Sequence, residues 1–279
     1  MPSVALLCVD ECKQEEGKTL AQNLQIPFLD LTQIEASKQF DFVLDLTSDG
    51  LSLRDSHIKF DQNKSAGALT VDFQSKQLNY RQQNHSSQEL LAKAIGIPGQ
   101  HHPLVWDVTA GLGQDAWILA SLGCEVILFE RQPLVYALLQ DGLSRAVNAK
   151  QEKNSTNAVA ARLQLFNRDG ISALNDAQMP QPDVVYLDPM FPEKRKNAKA
   201  KKAMQYFQAL VGKDEDEQLL LAAALKRAKF RVVVKRPLKA PLLSTEVPAA
   251  QIKGKTVRFD IYAIQSVQRY LEVKNSQTR

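Results

Sequence analysis

Short apolar runs alternate with amphipathic stretches along most of the chain. Residues 4–9 (VALLCV) form an unbroken apolar run of strand length and predict a buried strand; residues 15–24 space their apolar positions for a helix. Residues 42–46 and 68–73 read as further strands, set apart by Ser, Asp and Gly turn signals. A polar stretch, residues 74–87 (QSKQLNYRQQNHSS), then leads into residues 88–95, whose apolar spacing suits a helix. The boundary is expected in that stretch, dividing a small N-terminal α/β domain, residues 1–80, from a larger one, residues 81–279. From residue 104 the segments LVWDVTA, DAWILASLG, EVILFE, LVYALLQDGLSRAV, RLQLFN, DVVYLDP, QLLLAAALKRA and RVVVKRP alternate strand-like runs with helical periodicity. That rhythm predicts a mostly parallel sheet covered on both faces. Residues 256–264 (TVRFDIYAI), following a turn at Gly254, are expected to add an antiparallel edge strand. The helix from Asp214 carries acids at its start and Lys226, Arg227 and Lys229 at its end, as the macrodipole favours.

Composition narrows this only a little. With 279 residues, 44% of them hydrophobic and 24% charged, the chain is an ordinary globular protein able to bury a sizeable core. A net charge of +4 permits a polyanionic partner without demanding one. Cys8, Cys12 and Cys124 have neither disulfide-framework nor zinc spacing, and His57, His85, His101 and His102 show no metal or triad spacing, so no metal is expected. The start lacks a basic segment followed by a long apolar one, and no uncharged apolar run reaches membrane-span length. A cytoplasmic protein without a membrane partner is expected. Residues 150–157 (KQEKNSTN) read as a surface insertion.

Asp107-Val-Thr-Ala-Gly111-Leu-Gly113-Gln114-Asp115-Ala116 stands between a predicted strand and a predicted helix, where glycines let the backbone approach a bound nucleotide. The pattern Gly-x-Gly-x-x-Ala also fits a dinucleotide fold, with Glu130 placed at the next strand end to hold a ribose. Charge separates the two readings. A dinucleotide brings its pyrophosphate to the helix N-terminus, where Asp115 repels it. S-adenosylmethionine (SAM) brings a sulfonium and an ammonium, which Asp107 and Asp115 attract, while Glu130 accepts from the ribose hydroxyls. The bland alternative is that both aspartates only cap the loop and helix. After the strand RLQLFN, Asp169 and Gly170 are either a plain turn or an adenine contact.

The most specific signal is DVVYLDPMFP, a buried strand that delivers Asp188-Pro189-Met190-Phe191 at its carboxyl end, where open α/β sheets bind ligands. It resembles the Asp/Asn-Pro-Pro-aromatic motif of amino-group methyltransferases, with Met190 replacing the second proline. An exocyclic amine is a poor nucleophile because its lone pair is delocalised into the ring, so positioning does most of the work. Asp188 and the carbonyls of the turn at Pro189 can accept from the amine and stabilise the charge developing on it, and Phe191 can stack on the base. Such a base must be single-stranded or flipped out. The bland alternative is an Asp-Pro turn with a core phenylalanine. The segment EKRKNAKAKK follows at once, where Lys194, Arg195, Lys196, Lys199, Lys201 and Lys202 oppose only Glu193. Beside the presumed catalytic turn this excess suggests an arm neutralising RNA phosphates, which Lys235 and Arg236 could extend; alone, a charge run is usually a solvated face.

Taken together, DVTAGLGQDAWILASLGC, Glu130-Arg131, VVYLDPMFPEKRK and RVVVKRP followed by RFDIYA resemble one family, the RsmJ-type guanine-N2 methyltransferases of bacterial small-subunit (16S) ribosomal RNA. The likeness runs from about Val71 to the end, and the first seventy residues match less distinctly. It implies a class I SAM-dependent methyltransferase fold, Rossmann-like with a mostly parallel seven-stranded sheet, carrying a small N-terminal α/β domain. It also implies a donor site of Gln114, Asp115, Glu130, Arg131, Asp169, Gly170 and Asp188, with S-adenosylhomocysteine as by-product and 16S ribosomal RNA or the small subunit as partner. Gln114 stands where relatives carry Arg, and Asp169-Gly170 where they carry small hydroxyl residues. Three rivals stay open: the same chemistry on another base or a protein amide, a nicotinamide-dependent oxidoreductase, and a non-catalytic RNA-binding chaperone. Oligomeric state is not legible.

Overall fold

In the computed structural model, residues 2–58, 67–75, 85–97, 102–149, 156–189 and 216–266 are described. Met190, Phe191 and the basic residues from Lys194 to Lys202 lie outside them, as does most of the 150–157 segment.

Every side chain of β1 (Val4–Cys8) is buried, which is why its sequence runs apolar without alternating. After α1 (Gln14–Leu24), β1 pairs in parallel with β2 (Phe28–Leu29) on one side and β3 (Phe42–Thr47) on the other. β4 (Gly50–Asp55) joins β3 as an antiparallel hairpin, completing a four-stranded sheet in the order β2-β1-β3-β4. The sequence hid β4 because Arg54 interrupts its apolar pattern. Arg54 is buried, with Nε 2.7 Å and Nη2 3.1 Å from the Asp45 carboxylate on β3. Residues 68–73, expected as a strand, form only one bridge, Leu69 to Leu53. Leu69, Val71 and Phe73 are all buried, so their alternation serves side-chain packing and not a continued ladder.

Next come α2 (His85–Ile95), β5 (Leu104–Asp107), α3 (Gln114–Ser121), β6 (Glu125–Glu130), α4 (Pro133–Val147), the short α5 (Thr156–Ala160), β7 (Leu163–Asn167), α6 (Gly170–Leu174) and β8 (Val184–Leu187). Then follow α7 (Glu217–Arg227), β9 (Arg231–Pro237), β10 (Ala250–Lys253) and β11 (Val257–Ala263). Contacts gather the chain into two compact units. One combines the first 73 residues with the segment holding α4, where Arg145 donates to the Val71 carbonyl. The other holds the seven-stranded sheet.

That sheet has the expected mostly parallel form, in the order β10-β11-β9-β8-β5-β6-β7. Pairs among β5 to β9 are parallel, and β11 runs antiparallel to both β9 and β10. The chain builds β5, β6 and β7 outward in one direction and then returns to place β8 and β9 on the other side of β5, so the switch point lies between β5 and β8. On one face Trp106, Phe129, Val185, Leu187, Val232 and Val234 pack against Leu174 of α6 and Leu221 and Ala224 of α7. Each such side chain, removed from water, contributes about 1.5–3 kcal/mol.

The expected edge strand is an interior one: β11 is flanked by β9 and β10, and β10 is the edge. β10 (AQIK) is short and largely exposed, as edges often are, and so gave little apolar signal. Interior placement explains the buried charges of β11. Arg258, held by Asp260, donates to the main-chain carbonyls of Pro237, Leu238, Ala240 and Pro241, fixing the loop that leaves β9. Among the described residues no helix is long and apolar enough to cross a membrane.

Candidate functional site

β5 ends at Asp107, and the loop to α3 turns on Gly111 and Gly113, both left-handed at φ 53° and 69°, a conformation that strains residues bearing a Cβ. The end of β6 holds this loop in place. Ala110 N–H donates to the Phe129 carbonyl, and Gly111 N–H donates to Glu130 Oε2 at 2.9 Å. Glu130 is itself buried. The turn at Asp188 is tied to the same loop from the other side, because Asp188 N–H donates to Thr109 Oγ1 at 2.7 Å. Pro189 is buried behind it, while the Asp188 side chain stays 41% exposed. Asp188 is therefore open to solvent and one hydrogen bond from the glycine loop.

The alternation of β-strands decides what else arrives. Trp106 and Val108, Val185 and Leu187, and Val232 and Val234 face the core cluster, so Asp107, Tyr186 and Lys235 turn to the other face, toward the start of α3. There Lys235 Nζ lies 2.6 Å from Asp115 Oδ2 and 2.8 Å from Asp188 Oδ2. Tyr186, fully buried, donates its hydroxyl to the same Asp115 oxygen at 2.6 Å. Asp107 Oδ1 accepts from Thr109 N–H.

Burial pushes the Asp107 carboxyl up to about 8; the Thr109 amide pulls it down, and Asp115 and Asp188 add repulsion. Burial favours the neutral amine of Lys235, yet the facing carboxylates outweigh it and hold its pKa above the ordinary lysine value. Tyr186 is raised well above the ordinary tyrosine value by burial and by Asp115 and Asp188, so it remains a donor. With Asp107 neutral at pH 7, two carboxylates face one ammonium among the described residues, and these groups together keep an excess negative charge. Such a site matches a cation.

The remaining expected positions fall differently. Gln114 opens α3 and is exposed. Arg131 Nη1 lies 2.9 Å from Asp216 and 3.8 Å from Asp169. Asp169 caps α6 through Ser172 N–H. Gly170 is buried so tightly that a Cβ there would meet the Val108 carbonyl at 2.7 Å. Two expectations need correcting. Lys235 and Arg236 do not extend a basic surface: Lys235 belongs to the carboxylate cluster, and Arg236 is 3% exposed and reaches Glu217 on α7. The reason is again alternation, which sends two adjacent cations to opposite faces, each already paired. Nor is Asp107 an open anion drawing a cationic ligand, since burial keeps its carboxyl protonated at neutral pH. Thr109 and Tyr186, not anticipated from sequence, complete the network.

Known proteins of similar sequence point the same way. The model of a family of putative SAM-dependent methyltransferases matches residues 27–264. The chain is 40% identical over 265 residues to a ribosomal RNA small subunit methyltransferase J from Cellvibrio japonicus, spanning 94% of this chain and 97% of that one. It is 43% identical over 263 residues to the protein of that name from Thioalkalivibrio sulfidiphilus, spanning 93% and 97%. Among solved structures, a SAM-dependent methyltransferase from Neisseria gonorrhoeae superposes with a TM-score of 0.69 at 36% identity, covering 95% of this chain and 98% of that one.

Proposed function

The chain belongs to the ribosomal RNA small subunit methyltransferase J family of SAM-dependent methyltransferases, and from that premise we propose that it methylates the exocyclic N2 of a guanosine in 16S ribosomal RNA. The observation that carries this reading is Asp188: solvent-open, pinned by its own amide to the glycine loop, and faced by Lys235 at the switch point of the sheet.

The donor set suits SAM. The backbone at Gly111 and Gly113 leaves room beside the main chain, the described groups Asp115, Asp188 and Lys235 together carry an excess negative charge for a cation, and Glu130 stands at the β6 end for a ribose. Asp115 in the first turn of α3 disfavours a pyrophosphate and hence a dinucleotide. Gln114, Arg131, Asp169 and Gly170 are the further positions for this ligand. When bound, SAM supplies an electrophilic methyl carbon. Asp188 accepts from the amine, orients it and stabilises the positive charge that grows on nitrogen; the proton lost from that nitrogen passes to Asp188 or water. Phe191 is assigned the stacking role, and Lys194, Arg195, Lys196, Lys199, Lys201 and Lys202 contact with phosphates.

Support for a polyanionic substrate also comes from described residues. Lys239, Lys253 and Lys255 are exposed, and the antiparallel register sets the β10–β11 turn beside Pro237, at the end of the sheet where β8 delivers Asp188. Incubation with labelled SAM and unmodified small-subunit RNA or particles, followed by mass spectrometry of the nucleosides, is expected to place the label on a guanosine. Label on adenosine or on protein would overturn the substrate. Asp188→Ala should lower turnover about 100-fold or more with unchanged circular dichroism; wild-type turnover would remove Asp188 from the reaction. SAM should raise the melting temperature and NAD should not.

A further inference from the structure

Among the described residues Lys235 is the cation of the cluster, and its place was not foreseen. It reaches the site from β9, whereas Asp188 comes from the end of β8 and Asp115 from α3, so a single ammonium joins three elements. Its side chain is only 23% exposed. We propose that Lys235 is a positioning residue for the methyl transfer: its ammonium fixes the plane of the Asp188 carboxylate toward the incoming amine and keeps Asp188 from retaining the proton it accepts. The proposal rests on the methyltransferase reading above.

The geometry supports both parts. An aspartate as open as Asp188 takes its orientation from its partners. Its amide is held by Thr109 and its Oδ2 by Lys235, so main chain and side chain are each anchored. Lys235 is anchored in turn by Asp115, whose Oδ2 also accepts from Tyr186. Among the described residues, the charged and titratable groups around Asp188 are Lys235 from β9, Asp115 from α3, Tyr186 from β8 and, more distantly, Asp107 from β5. Among these described groups the positive one is Lys235. When the amine nitrogen gains the methyl group and loses a proton, an adjacent ammonium favours the carboxylate form of Asp188, and the proton moves on to water. Lys235 does not touch the methyl donor in this scheme; it repels a cation, and its loss should not weaken donor binding.

The test measures kcat and KM on the RNA substrate together with the Kd of SAM by calorimetry, for the wild type and for Lys235→Met and Lys235→Arg. Lys235→Met should lower kcat about 10- to 100-fold, leave KM for RNA within about twofold and leave SAM binding as tight as in the wild type or tighter. Lys235→Arg, which restores the cation, should recover a measurable part of kcat. If the Met variant does not fold, Lys235→Gln should give the same split, since its amide reaches one carboxylate at most. A wild-type kcat in Met or Gln, or parallel loss of kcat and SAM affinity with no recovery in Arg, would show a merely structural lysine. Activity of the wild type on the RNA is the separate control: without it the functional reading falls and this role falls with it, whereas an active wild type beside an unaltered variant removes Lys235 alone.

Discussion

Asp107 and Asp188 show how one residue type takes opposite roles within one cluster. Asp188 is open and paired with an ammonium, while Asp107 is buried with a pKa raised to about 8. The consequence for stability follows from proton counting. The folded-state pKa lies above the ordinary carboxyl value, so between about pH 4 and 8 the folded chain holds a proton that the unfolded chain releases. This residue's contribution is therefore complete in acid and is lost as the pH rises toward 8, by an amount on the order of a few kcal/mol. Asp107→Asn keeps an acceptor for Thr109 and removes the titration. The melting temperature of the variant relative to the wild type should rise steadily from pH 5 to pH 8; parallel curves would mean that Asp107 is ionised in the fold. Of this cluster the sequence displayed Asp107, Asp115 and Asp188, because they sit in recognisable motifs. Thr109, Tyr186 and the true surroundings of Lys235 were not legible, since they depend on which strands become neighbours and which face each side chain takes.

Elements follow the same division. Runs that are buried on both faces, such as VALLC in β1 and VVYL in β8, announce themselves through unbroken hydrophobicity. β4 and β10 do not, one carrying a buried arginine and the other being a short polar edge. Gly170 illustrates a related ambiguity. From sequence it was a turn or an adenine contact, and in the fold it lets α6 begin directly against the Val108 carbonyl that follows β5. Gly170→Ala must push a Cβ into that carbonyl and should cost about 1–3 kcal/mol in urea unfolding, independently of any ligand. If stability is unchanged while SAM affinity drops, the contact with the donor, and not the packing, explains the glycine.

Across the whole molecule, the mostly parallel sheet was readable from the rhythm of strands and helices, but its neighbours in space were not. The segment holding α4 illustrates this, since it follows β6 in the chain yet groups with the first 73 residues. The basic face is a second instance. Lys239, Lys253 and Lys255 are scattered in sequence and lie at one end of the sheet only because β10 and β11 fold back beside β9. Replacing Lys253 and Lys255 together with Glu should weaken RNA binding at least tenfold in low salt and flatten its salt dependence, with SAM affinity unchanged. Unchanged RNA affinity would exclude this turn from the contact. Arg258 bears on how that surface works. By collecting four carbonyls around Lys239, it gives the segment its shape during folding. Docking of a phosphate chain against Lys239 then need not freeze a wandering loop, and the backbone entropy that commonly erodes the affinity of loop-borne contacts has already been surrendered before the partner arrives.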